Sequence, residues 1–143
     1  MVSGEWWKSR SAPRFGIMQI NDYRDLEVWR RSRSLAKAAY LLTKPFPKEE
    51  LFAMTSQIRR AATSIPANIA EGWGRHYTAE FIQFLRKANG SRTELETHLT
   101  ICVDVGLCRE EAVQPLLAEL QILGKQILAL ERSLEKRRAA NRE

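Results

Sequence analysis

Side chains able to carry acid–base, metal or nucleophilic chemistry are few in this sequence, and their spacing does not suit it. The chain holds two histidines, His76 and His98, and two cysteines, Cys102 and Cys108. In "ELETH", Glu94 and His98 stand four apart, whereas a di-iron centre in a helical bundle uses Glu-x-x-His on facing helices with further inward glutamates. The pattern occurs once and falls short of a minimal ligand set, so no metal and no other cofactor is expected. Neither histidine lies beside a cysteine as a nucleophile–base pair would require. Each cysteine reads as a small buried hydrophobe or a cap. "GWGR" closes a helical pattern instead of opening one, so it is no phosphate-binding loop. The expectation is a protein that is not an enzyme.

Cations at helical spacing are the chemistry the sequence does supply. Arg30, Arg33 and Lys37, with Lys44 beyond, fall on one stripe of the first helical segment, opposite its apolar side. Such a stripe is either a solvated face or a track for phosphates. Arg59, Arg60 and Arg75 of the second segment are further candidate contacts, of weight only if assembly repeats them. The net charge of +6 is less telling than it looks. Residues 1–17 hold three bases and one acid, and residues 134–143 hold four bases and two acids, so four of the six excess charges lie in the tails. Basic tails attract polyanions weakly without implying a shaped site.

Two further places are unusual. "SIPANIAEGWGRH" sets Pro66 inside a long helical pattern whose polar face carries Gln57, Arg60, Ser64, Asn68 and Glu71. Pro66 removes an N–H and displaces the carbonyl of Ala62, which predicts a kink. The kink serves either internal packing or the presentation of that polar face to a partner. Gly72 and Gly74 are expected to let the chain leave the helix, with Trp73 a lid over the core and Arg75 and His76 at the corner. Arg92 lies within the apolar stripe of the third segment. An unpaired charge there would be costly, so Glu96 or Glu71 is its expected partner, unless Arg92 faces a subunit interface or pore.

The elements that must position these residues read as helices throughout. Residues 1–17 show no period and are expected to form a flexible, dispensable arm, with Met18 a second candidate start. Residues 18–137 form the domain and 138–143 a basic tail. The first helix spans about Asp25–Thr43 with Asp22 as cap, its apolar side including Val28, Leu35, Ala36, Ala39, Tyr40 and Leu42. The second begins near Lys48 and carries Leu51, Met54, Ile58, Ala61, Ala62, Ile65 and Ile69. The third runs from the cap Thr78 to Gly106, with Phe81, Phe84, Leu85, Ala88, Leu95, Leu99, Cys102 and Val103. The fourth spans about Arg109–Arg137, where Pro115 predicts a bend or a later start. Ala118, Ile122, Ala129, Ile82 and Ile101 form fainter stripes that hint at self-association. Short connections make this an all-α fold, an antiparallel up-down-up-down four-helix bundle with a proline-kinked second helix. No apolar run approaches the roughly 20 residues of a membrane span, and the N-terminus lacks a secretory core, so the expected address is the cytoplasm.

"YRDLEVWRRS", "FPKEELFAMTSQIRRAATSIPANIAEGWGR", "EFIQFLRKANGSRTELETHL" and "LGKQILALERSLEK" together resemble a family of bacterial four-helix-bundle proteins. It includes the protein encoded in intervening sequences of 23S rRNA genes and the accessory variability protein of diversity-generating retroelements. The resemblance covers about residues 20–137. It implies a homopentamer without enzymatic activity and, for the retroelement branch, a basic barrel that engages a reverse transcriptase and nucleic acid. The retroelement members are strongly basic, whereas this bundle proper is close to neutral. The expected function is RNA or DNA binding through symmetry-repeated Arg30, Arg33, Lys37, Arg59, Arg60 and Arg75. The alternative is a protein-interaction scaffold with no nucleic-acid role.

Overall fold

The computed structural model describes residues 14–15 and 18–141. Four helices account for most of it: α1 (Glu27–Thr43), α2 (Met54–Gly74), α3 (Thr78–Asp104) and α4 (Glu110–Ala140). Two two-residue strands, β1 (Arg14–Phe15) and β2 (Met18–Gln19), pair antiparallel ahead of them. They are too short to leave an alternating signature in sequence. The remainder of the expected arm lies outside the described residues.

Each helix packs on its neighbours in chain order, and α4 returns to α1 to close the bundle. The contacts run in opposite directions. Ser64 meets Ser91 while Gly72 meets Phe84 across α2 and α3; Arg86 meets Glu135 while Arg92 reaches Leu120 across α3 and α4. The core is built mostly from the stripes read from the sequence. Ile58, Ile65 and Ile69 of α2, Phe81, Leu85, Leu95 and Leu99 of α3, and Leu120, Leu123, Ile127 and Leu134 of α4 are fully enclosed. Each such side chain contributes roughly 1.5–3 kcal/mol by leaving water. On α1 the buried set is smaller: Val28, Ser32, Leu35, Ala36, Ala39 and Thr43. Ser32 donates to the Trp29 carbonyl and Thr43 to the Ala39 carbonyl, which satisfies both hydroxyls inside the core.

Several local expectations change. Asp22 precedes a separate 3-10 turn over Tyr23–Asp25, where the Asp25 carboxylate accepts from the Asn21 and Asp22 N–H groups; α1 itself starts after Leu26. The second helix begins at Met54, because a 3-10 turn over Lys48–Glu50 intervenes, and Leu51 is left half-exposed. Tyr77 takes the cap position expected of Thr78. Gly106 ends α3 as expected, with φ of +79°, and the two bonds Leu107 N–H to Cys102 carbonyl and Gly106 N–H to Val103 carbonyl close a Schellman turn. α4 does not start late: Pro115 sits inside it, and the carbonyl left without a donor belongs to solvent-exposed Glu111. Ile82 is buried instead of forming an outer stripe, because α3 is covered by both α2 and α4 and so buries a wider arc. Ala118, Ile122, Ala129 and Ile101 do remain exposed. Among the described residues no helix is long and apolar enough to cross a membrane.

Candidate nucleic-acid interface

The face of α1 opposite the core brings three expected cations together. Arg30, Arg33 and Lys37 line one shallow cleft of about 310 Å³ with Ser34. Their spacing of three and four keeps them on one side of the helix. Arg30 is fixed by donating its Nε–H to the Arg24 carbonyl at 2.8 Å, with Asp25 at 3.9 Å. The Arg33 guanidinium lies over the Trp29 ring at 5.5 Å, and Trp29 meets Tyr23 edge-on at 5.2 Å. Aromatic rings thus hold the first part of the stripe in place.

One turn past Lys37 the stripe reaches Tyr40, which is 46% exposed and not part of the core as its position in the apolar pattern suggested. The Arg59 guanidinium covers the Tyr40 ring at 4.5 Å and donates through Nε to Thr43 Oγ1 at 2.9 Å. Beside this pair, Tyr40, Leu51, Phe52, Thr55, Arg59 and Arg60 line a cleft of about 330 Å³ between α1 and the start of α2. The cationic stripe therefore continues from α1 onto α2. From Arg30 to Tyr40 it covers about 15 Å of helix.

Arg75 does not join it. It stands fifteen residues, roughly 22 Å of helix, beyond Arg60, and faces Glu71 at 3.2 Å, Glu80 at 3.9 Å and the Phe84 ring at 5.2 Å. Two carboxylates answer its charge.

Arg92 is held on the protomer's own groups. It donates to Glu96 at 2.5 Å and to Asn89 at 2.8 Å, and reaches the Leu120 carbonyl at 3.5 Å. Glu71 is not its partner, being engaged by Arg75. Room for the guanidinium comes from Gly124: a Cβ there would stand 2.6 Å from Arg92 Cζ. Asn68, half-buried beside Pro66, donates to the Ser64 carbonyl and to its hydroxyl, which in turn meets Ser91. This part of the polar face therefore ties α2 to α3, and α2 is helical on both sides of Pro66.

Gly72 and Gly74 both lie within α2, so neither is the exit. Gly72 is needed for close approach, since a Cβ there would fall 2.5 Å from Phe84 Cβ, and the left-handed residue of the corner is His76 with φ of 64°. Trp73 is buried and meets Phe81 edge-on at 5.8 Å. At the other end of α3, burial pushes the Cys102 thiol up to about 12, with nearby Cys108 adding to the rise, and burial raises Cys108 as well. Thiols so protonated are poor nucleophiles. His98 pairs with Glu94 at 3.2 Å, and among the described residues no three His, Cys, Asp or Glu side chains form a metal-holding group.

Sequence reasoning missed Phe52, Thr55, Asn89 and Gly124. Phe52 carried a faint signal, as an aromatic that falls off the Met54–Ile58–Ala61–Ile65 seam. Asn89 stands three before Arg92 on the same helix, a spacing that could have marked it, whereas Thr55 and Gly124 gain their meaning only from neighbouring helices.

The family model described as 23S rRNA-intervening sequence protein matches residues 24–129. The chain belongs to that family. The match runs from the turn before α1 into α4 and so takes in every residue of the basic stripe. The fold is also similar to the crystal structure of a protein of unknown function from the S23 ribosomal protein family of Bacteroides thetaiotaomicron. That likeness has a TM-score of 0.66 at 25% identity, over 73% of this chain and 97% of the other. No protein of curated function matches the chain. The four-helix fold and the family expected from the sequence are both borne out.

Proposed function

We propose that this member of the 23S rRNA-intervening sequence family is a non-enzymatic, self-assembling protein that binds RNA or DNA. The observation that carries this is the continuous stripe from Arg30, Arg33 and Lys37 to Arg59 and Arg60, with Tyr40 and Phe52 set among the cations. Phosphates are met by guanidinium and ammonium groups, while exposed rings offer faces to bases. A solvated helix face needs the charges but not the exposed aromatics. In a homopentamer, the assembly the family resemblance implies, the stripe would occur five times, so a modest charge per protomer becomes a large local field. A reverse transcriptase is the protein partner implied for the retroelement branch, and a reverse-transcriptase gene beside this one would favour it.

Binding of labelled single strands and duplexes of unrelated sequence, measured across a salt series, tests the proposal. Log affinity should fall linearly with log salt, by about 0.7 per phosphate contact for single strands and 0.9 for duplexes. Absence of binding at low salt would refute it. A scaffold role has its own support in the exposed Ile101, Val105, Ile122 and Leu128 of α3, its C-terminal turn and α4, apolar side chains left to water that a protein contact would cover.

A further inference from the structure

The cleft between α1 and the start of α2 holds more than charge. Phe52 is 93% exposed, more than any other large apolar side chain among the described residues, in the turn that leads into α2. Next to it, Tyr40 shows nearly half its surface with the Arg59 guanidinium on its ring, and Arg60 stands exposed on the same wall. An aromatic this exposed contributes nothing to the fold, and water covers its ring at a free-energy cost.

Thr55 supplies the second observation. It lines the same cleft and is 3% exposed, and its Oγ1 is buried with no hydrogen-bond partner among the described residues. Buried hydroxyls are nearly always satisfied, so an orphan beside an open cleft points to a partner that enters from outside. The other buried hydroxyls of known position, Ser32 and Thr43, are both bonded to main-chain carbonyls one turn back. Thr55 also lies in the first turn of α2, where a helix's leading N–H groups carry partial positive charge.

We infer that this cleft is a binding site for an unpaired base and its phosphate. The base lies against Phe52, the phosphate meets Arg60 and the Arg59 edge, and the Thr55 hydroxyl, closed off in the free protein, bonds to the nucleotide once the side chains over it shift. The assignment rests on the nucleic-acid function proposed above and narrows it to single-stranded segments, because bases inside a duplex are stacked on each other and cannot reach a ring in a cleft. The cleft volume of about 330 Å³ lies at the low end of the roughly 300–1,000 Å³ of small-ligand sites, which suits one planar base and excludes a helix end. Recognition by stacking on a ring and contact with phosphate tolerates any sequence.

The test compares wild type with Phe52→Ala, Phe52→Trp, Thr55→Val and Arg60→Gln. The probes are fluorescent oligouridylate, oligothymidylate and a mixed-sequence duplex of equal length, at one low salt concentration. Phe52 is exposed and outside any helix, and Val is isosteric with Thr, so the variants should match wild type by circular dichroism. Phe52→Ala should weaken single-strand binding by about 5- to 150-fold, the range for loss of one stacked base, and leave duplex binding within about twofold. Phe52→Trp should retain single-strand binding and show tryptophan quenching on titration. Thr55→Val should weaken single strands several-fold. The RNA and DNA probes tell which sugar the site accepts.

Three results would overturn the assignment, and they differ. If Phe52→Ala and Thr55→Val leave single-strand affinity unchanged while Arg60→Gln lowers it, the protein binds nucleic acid but this cleft takes no base. If Phe52→Ala weakens single strand and duplex alike, the ring acts in some way other than stacking on an unpaired base. If wild type binds none of the probes, the nucleic-acid function itself fails, and the cleft serves another partner.

Discussion

Two glycines in adjacent helices should respond to the same substitution with opposite signs. At Gly72 a new Cβ would lie 2.5 Å from Phe84 Cβ and 3.1 Å from a Phe81 ring atom. Ordinary contact begins near 3.4 Å, so α2 and α3 must separate by most of an ångström beside the Trp73–Phe81 pair. A Cβ cannot swing aside as a side-chain tip can, which places Gly72→Ala at the upper part of the roughly 1–3 kcal/mol cost of overpacking. Replacing glycine by alanine inside a helix returns about 1 kcal/mol. The net is a loss of about 1–2 kcal/mol, or a Tm lower by roughly 3–10 °C at this size. Gly90 sits exposed in α3, with nothing within 4 Å of its would-be Cβ. Gly90→Ala should keep the propensity gain and raise Tm by a few degrees. Thermal and urea unfolding, followed by circular dichroism, provide the measurement. A Gly72→Ala protein as stable as wild type would refute the close-approach argument, and a lower Tm for Gly90→Ala would mean that its face is covered in solution.

The remaining predictions concern charge and assembly. Burial raises the Glu131 carboxyl above its ordinary 4.5, with nearby Arg86 opposing the shift and Glu135 adding to it. The unfolded chain then releases this proton first, so Glu131 costs stability as pH rises through and beyond 4.5. Glu131→Gln should accordingly raise Tm at neutral pH, and the gain should shrink below pH 4.5. Arg92→Leu should cost about 1–3 kcal/mol in urea unfolding, because it leaves the half-buried Glu96 and Asn89 without their donor; adding Glu96→Gln should recover part of that loss. Pro66→Ala restores an N–H to α2 and favours the helix by up to about 3 kcal/mol. If the proline shapes the protomer for ring closure, the variant stays helical while its mass by light scattering moves away from that of wild type. Equal masses would confine the proline to internal packing, and a monomeric wild type would remove the pentamer altogether.

Most of the fold was legible because burial follows helical period. Ile58, Ala61, Ala62, Ile65 and Ile69 repeat at three and four, and all five are buried. Gly106 was legible for a local reason, since a left-handed C-terminal turn is chiefly glycine's. What the sequence hid depends on a second helix. Gly72 looked like a breaker, yet its role is set by Phe84 across the interface, and the place of Arg92 was fixed by Gly124, thirty-two residues away in sequence. The candidate site divides in the same way. Arg30, Arg33 and Lys37 share one helix, so their spacing reveals their cleft. Arg59 and Arg60 gain Tyr40 as a neighbour only when α1 and α2 pack, and Tyr40 was misplaced because an amphipathic ring at the edge of a stripe can go either way.

The central claim is that the stripe from α1 to α2 contacts phosphate. It is tested most directly by the salt dependence of single-strand binding for three proteins: wild type, Arg30→Gln/Arg33→Gln/Lys37→Gln, and a control, Lys125→Gln/Arg132→Gln, that removes exposed charges from α4. The slope of log affinity against log salt should fall by about 0.7 for each lost contact, hence by about 2 in the stripe variant, and should stay at the wild-type value in the control. Equal slopes for the stripe variant and the control, or no measurable binding by wild type at low salt, would contradict the account.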